Sequence, residues 1–258
     1  GINNEETQEN INTVLGIEQE LNERDEVIVD ITHSFRSLPI LIMNLLIYLQ
    51  TVSKKKINIS HVYYGMLEVN TELGHTPVTE LSSMLDISKW ITGAYAFENF
   101  GNAYQIADLI ESENKEVSER LRRFSNLMNL NHLGLLKSEI NNLKAIKNTT
   151  YRTLIPSLII TPIVNRFIAQ FDKIRTLSLF QLRLAKWQFE HHNYTAAYIS
   201  VIESIITYIC EVNNKDWQDY KIREEAKTAI RKPNNTWRVQ GELTKIFCET
   251  NHIRNCLA

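Results

Sequence analysis

Strand-forming sequence is confined to the front of this 258-residue chain, and that asymmetry limits the folds open to it. Glu26-Val27-Ile28-Val29-Asp30-Ile31-Thr32 is a short β-branched run of the kind that forms a buried parallel strand. Residues 5–22 before it place Ile11, Val14, Leu15, Ile17 and Leu21 at mixed three- and four-residue spacing, the pattern of an amphipathic helix. A helix is expected from about Ser37 to Ser53, with Pro39 in its first turn, where a missing N–H costs nothing. A second strand is expected over Ile57–Tyr64, ending at Gly65, and residues 66–80 read as a small hairpin or loop. Helix, strand, helix, strand is the alternation of a doubly wound α/β sheet. Two strands alone would both be open edges, so part of the sheet is expected upstream or from another chain.

From Asp86 onward strand signals nearly vanish. Helices are expected at 84–99, 102–130, 163–191, 194–212, 217–231 and 237–258, with the Asn-rich segment 141–150 and the Pro-bearing segment 154–164 as connections. Leu177, Phe180, Leu184 and Trp187 share one helix face and read as core. With only 8 Gly and 5 Pro, long helices are the default and a many-stranded all-β fold is disfavoured. The fold class is therefore α/β plus all-α.

Charge divides the chain in the same way. Residues 1–112 carry 6 basic and 16 acidic side chains, residues 113–258 carry 22 and 14. The positive rear half points weakly to a polyanionic partner such as RNA; two solvated surfaces of opposite sign account for it about as well. The overall charge of −2 excludes a histone-like basic protein. Cys210, Cys248 and Cys256 are odd in number and lack metal-type spacing, which fits a reducing cytoplasm. No metal site is read, and the apolar run Leu38–Val52 is too short to span a bilayer.

The first chemical constellation is Asp30-Ile31-Thr32-His33-Ser34-Phe35-Arg36-Ser37, where a parallel strand runs into a helix. Ligands of open α/β sheets collect at the carboxyl ends of strands, where helix N-termini offer free N–H groups to phosphate. Thr32, Ser34 and Ser37 can add hydroxyls, Arg36 a guanidinium and His33 a ring nitrogen. Tyr63 and Tyr64, before Gly65, offer a surface for base stacking. The commoner reading of such residue types is structural: Ser34 or Ser37 as a helix cap, Asp30 as a loop brace, His33 as an interior histidine. Tyr63 and Tyr64 alternate across a strand, so one of them at least belongs to the core.

The stretch Asp30 to Pro39 closely resembles the signature of the DxTHG-motif CRISPR-associated proteins, and the resemblance continues through Val62-Tyr63-Tyr64-Gly65, Thr76-Pro77-Val78 and the helix from Trp90 to Gly101. Ser34 stands where that family usually has Gly. The resemblance implies a Rossmann-like CARF domain over residues 1–100, without the family's opening strands, and a helical HEPN ribonuclease domain over 101–258. Asp30, Thr32, His33, Ser34, Arg36, Ser37, Tyr63, Tyr64 and Gly65 would bind a cyclic oligoadenylate activator; no further cofactor is implied.

The second constellation closes the chain: Asn251-His252-Ile253-Arg254-Asn255-Cys256-Leu257-Ala258. Read alone, Arg254 is a cation complementing a C-terminal helix dipole. HEPN ribonucleases carry a similar run of Arg, a polar residue, three more residues and His. Arg254 and Asn255 match it, with the histidine expected directly after Ala258. The implied enzyme is a metal-independent single-stranded RNA endoribonuclease of type III CRISPR antiviral defence, acting as a cytoplasmic homodimer or higher even oligomer without a membrane partner. Two other readings compete with it: a non-catalytic cyclic-nucleotide sensor, and a ring nuclease using Thr32, His33 and Arg36. Arg120, Arg122 and Arg123 read as a solvated face, with an RNA path as the alternative.

Overall fold

The computed structural model describes residues 4–32 and 38–257. The chain forms two compact units, one reaching to Ile91 and the other starting at Thr92.

The first unit is an α/β layer. Helix α1 (Asn4–Glu20) leads into strand β1 (Glu26–Asp30), helix α2 (Leu38–Thr51) and strand β2 (Asn58–Gly65). A 3₁₀ turn (Leu67–Val69) and the one-turn helix α3 (Asn70–Leu73) follow, then the short strand β3 (Val78–Glu80) and helix α4 (Ser83–Phe100), within which the division between units falls. The sheet order is β1-β2-β3. β1 and β2 are parallel with Asp30 opposite Tyr63, and β2 and β3 antiparallel with Tyr63 opposite Glu80. Asp30, Tyr63 and Glu80 thus form one row across the strand ends.

Two expectations change here. Residues 66–80 hold a third strand, because Thr79 and Val78 pair with Tyr64 and Gly65 as the chain returns through Pro77. β1 is covered on one face by this chain, with Ile28 61% exposed while Val27 and Val29 lean on the core. That core joins Val14 of α1, Leu45, Leu46 and Leu49 of α2, and Ile59 and Val62 of β2. Within the Lys54–Lys56 run, the Lys55 ammonium donates to the carbonyls of Glu18 and Leu21, each at 2.6 Å, closing the end of α1 where the helical ladder runs out.

The second unit is all helical among its described residues. α5 (Tyr104–Ile110), α6 (Lys115–Asn129), α7 (Leu133–Leu143), a 3₁₀ segment (Lys144–Asn148) and α8 (Leu154–Ala169) come first. α9 (Leu177–Glu190), α10 (Tyr194–Val212), α11 (Tyr220–Arg231) and α12 (Gly241–Leu257) complete it. Phe97, Phe124, Phe167 and Trp187 meet at ring separations of 5.2–5.6 Å, the edge-to-face and tilted arrangements that aromatic quadrupoles favour. Leu177, Phe180, Leu184 and Trp187 are all buried, as their spacing predicts. A second cluster ties Ile202, Ile206 and Ile209 of α10 to Ala226 and Ile230 of α11 and Phe247 of α12. α10 is long and apolar enough to cross a membrane by length and composition, and half of that window is buried inside the protein.

Helix boundaries differ from expectation where tertiary partners set them. The 102–130 segment breaks because Asn114 caps α6, its side chain accepting from the Val117 N–H at 3.1 Å. The 163–191 segment breaks at Lys173, whose φ of 65° is left-handed. α9 then restarts under the Glu211 carboxylate, which accepts from the N–H groups of Leu177 (3.0 Å) and Ser178 (3.2 Å). Residues 154–164 are helix, not a connection: Pro156 sits in the first turn of α8, where its absent N–H is harmless, although Pro162 lies inside. The chain entering α8 is held by Glu113, which accepts from the main-chain N–H groups of Arg152 and Thr153 and from the Thr153 hydroxyl. Burial raises the Glu113 carboxyl, but these donors outweigh it and hold it below its ordinary value.

Candidate functional site

At the carboxyl ends of β1 and β2 the chain is tied across the strands. The Asp30 carboxylate accepts from the Thr32 N–H at 2.8 Å, folding the strand end into a turn. Thr32 Oγ1 accepts from the Gly65 N–H at 2.7 Å, and Ile31 N–H donates to the Tyr63 carbonyl at 2.9 Å. Any larger residue at 65 would be crowded: a Cβ there would lie 3.0 Å from Thr32 Cγ2 and 3.1 Å from Thr32 Oγ1. Gly65 is therefore explained by close approach of a neighbouring side chain.

Beside this knot lies a cleft of about 590 Å³, within the range of small-molecule sites. Thr32 and Tyr64 line it from the strand ends, Pro39, Met43 and Asn44 from α2, and Met84 from α4. Tyr63 does not share it: strand alternation turns it to the opposite face, where it stacks on His61 at 5.3 Å and 15°. Asp30 braces the turn and is not a lining residue. His33, Ser34, Arg36 and Ser37 lie outside the described residues. Asn44 was legible only as an interruption of an apolar run; its amide now donates to the Ile40 carbonyl at 2.8 Å on the cleft wall.

On the sheet's third strand, Glu80 accepts from the Ser82 hydroxyl and N–H, and these bonds keep its carboxyl below the ordinary range. The same pair receives the Val62 N–H, which lies 3.1 Å from Ser82 Oγ. Glu80 and Ser82 thus brace the strand carrying Tyr63 and Tyr64.

In the second unit, α12 is seated by Phe247 and Thr250 against its neighbours and carries Arg254 on its last turn, half-exposed. The Asn255 side-chain oxygen accepts from Arg254 Nε at 3.2 Å and Nη2 at 2.6 Å. One edge of the guanidinium is thereby oriented, and its remaining donors stay available. Among the described residues it has no carboxylate partner. Arg120, Arg122 and Arg123 differ: they pair with Glu116, with Asp108 and Glu111, and with the buried Glu139, so the structure favours the solvated-face reading for them. His252 contacts Cys256 Sγ at 3.9 Å. Among the described residues, no three His, Cys, Asp or Glu side chains are grouped to hold a metal ion.

Sequence comparison adds to this geometry. The family described as CRISPR-associated protein MJ1674, second domain, matches residues 86–179. The whole chain aligns with CRISPR-associated protein MJ1674 of Methanocaldococcus jannaschii at 34% identity over 261 residues. The chain spans 41% of that protein's length. Along its full length, then, this chain is similar to part of a CRISPR-associated protein, and residues 86–179 match the family described as its second domain.

Proposed function

We propose that the chain is part of a cyclic-oligoadenylate-activated endoribonuclease of type III CRISPR defence, with a CARF-type sensor in the first unit and a HEPN-type ribonuclease in the second. The observation that carries this reading is Arg254: a guanidinium oriented by its neighbour Asn255, with no carboxylate partner among the described residues. Such a group suits two-point recognition of a phosphate.

RNA supplies its own nucleophile. The 2′-oxygen attacks the adjacent phosphorus as its proton passes to a base, the P–O5′ bond breaks, and an acid protonates the leaving 5′-oxygen. The products are a 2′,3′-cyclic phosphate and a 5′-hydroxyl. Arg254 would meet the charge that develops on the phosphoryl oxygens, and the histidine expected after Ala258 would move the proton. A homodimer would bring two such pairs together into one composite site. The cleft beside Thr32 and Tyr64 would take the activator, an adenine face lying against the Tyr64 ring and the apolar side chains around it. Activation then requires the ligand to favour one arrangement of the two subunits over another.

The test is incubation of the full-length natural protein with labelled single-stranded RNA, with and without cyclic tetra- or hexa-adenylate, beside Arg254→Ala. Activator-dependent cleavage abolished by the substitution supports the proposal. Cleavage that ignores the activator or survives the substitution removes it, and activator binding without cleavage replaces it with the sensor reading.

A further inference from the structure

A second cavity, of about 590 Å³, lies wholly within the helical unit and is independent of Arg254. Gln181 lines it from α9 and is 4% exposed, yet its side-chain carbonyl oxygen has no hydrogen-bond partner among the described residues. A buried acceptor left unpaired carries a desolvation penalty, and a ligand N–H donor would remove it. Trp217, half-buried, supplies an aromatic surface on the same cavity. Its loop is held by Arg223, which donates to the Trp217 carbonyl at 3.2 Å and to Thr207 Oγ1 at 3.3 Å while paired with Glu203. Arg223 is thereby committed to the wall. On another side the cavity meets the first turn of the 11-residue helix α7, where Gly134 offers a main-chain N–H with no intrahelical partner.

An unpaired buried acceptor, an aromatic face and a helix N-terminus around one cavity are complementary to an amino-bearing base, its ring and its phosphate. We propose that this cavity binds an adenine nucleotide, with the exocyclic amine on Gln181, the ring against Trp217 and the phosphate at the start of α7.

Trp90, Trp187 and Trp237 are buried, so Trp217 dominates quenching by an added ligand and reports on the cavity directly. The intact protein is titrated with AMP, with inosine monophosphate, which carries a carbonyl in place of the amine, with a linear oligoadenylate and with cyclic tetra-adenylate. The three adenine probes separate a free nucleotide, an RNA strand and a ring as the source of the same chemistry. The proposal expects AMP to quench Trp217, at least tenfold weaker binding by inosine monophosphate, a similar loss in Gln181→Met, and no quench in Trp217→Phe. Gln181→Met removes an unpaired acceptor at constant length, and retention of the fold is checked by the melting curve. Absence of quenching by all three adenine probes, equal affinity in Gln181→Met, or quenching that survives Trp217→Phe overturns it.

Discussion

Gly65→Ala tests the knot that closes the strand ends. The new Cβ would sit 3.0 Å from Thr32 Cγ2 and 3.1 Å from Oγ1, against 3.4–4 Å for ordinary contact, so the Thr32 side chain must give by a few tenths of an ångström. Overpacking of this kind costs roughly 1–3 kcal/mol. Loss of the 2.7 Å bond from the Gly65 N–H adds about 1 kcal/mol, and the stiffer unfolded chain returns roughly 0.4–1 kcal/mol. The expected net destabilisation of the first unit is about 1–3 kcal/mol. Because the chain has two units, amide hydrogen exchange on β1 and β2 is the appropriate assay, reading the local opening energy rather than a global melt. The partner variant Thr32→Ala deletes both the clashing methyl and the acceptor, so Gly65→Ala should cost much less in that background. The double variant should fall short of the sum of the singles by about 1–3 kcal/mol. Thr32→Ser, which keeps only the hydroxyl, should lie between. Additivity within about 0.5 kcal/mol would show that the two residues do not constrain each other and would refute the reasoning.

Glu113→Ala removes the acceptor of the two N–H groups leading into α8 and should cost on the order of 1 kcal/mol, read from exchange of the Arg152 and Thr153 amides. Since the folded-state carboxyl lies below its ordinary value, its contribution is present above the unfolded pKa of about 4.3 and is lost as pH falls through the folded value. Acid sensitivity of α8 should therefore diminish in Glu113→Gln. Burial, and then the Glu113 charge, push the Tyr151 phenol up to about 12. Its contribution is complete below the unfolded value of about 10 and is lost as pH rises toward the folded one. Alkaline unfolding should begin in that interval and be delayed in Tyr151→Phe, as followed by far-ultraviolet circular dichroism. Glu211→Gln should fray the start of α9, seen as faster exchange of the Leu177 and Ser178 amides with α12 unaffected; unchanged exchange would show that the carboxylate is not the cap.

The strands β1 and β2 were legible because β-branched runs bounded by turn residues carry their own signal. Of the strand-end motif, Asp30 and Thr32 form the turn that the sequence offered as a loop brace, and residues 33–37 lie outside the described residues. β3 was not, since three residues acquire strand conformation only through pairing with Tyr64 and Gly65. The breaks between α5 and α6 and between α8 and α9 contain neither Pro nor Gly, and one of them depends on Glu211, more than thirty residues away in sequence. α8 was read as a connection because Pro156 and Pro162 look like breakers when their place within the helical turn is unknown. At the cleft, Thr32 and Tyr64 were visible in the sequence, whereas the wall from Met43 and Asn44 follows from how α2 packs. The ion pairs of Arg120, Arg122 and Arg123, and the lack of a carboxylate partner for Arg254 among the described residues, are likewise facts of three-dimensional charge placement, which a one-dimensional count of basic residues does not contain.

The most direct measurement of the central claim is the rate of single-stranded RNA cleavage by the full-length protein as cyclic oligoadenylate is added, with cleaved ends analysed for a 2′,3′-cyclic phosphate. The account predicts cleavage that rises with activator, leaves that cyclic end, and falls to background in Arg254→Ala. A 3′-hydroxyl end, or full activity in Arg254→Ala, would contradict it.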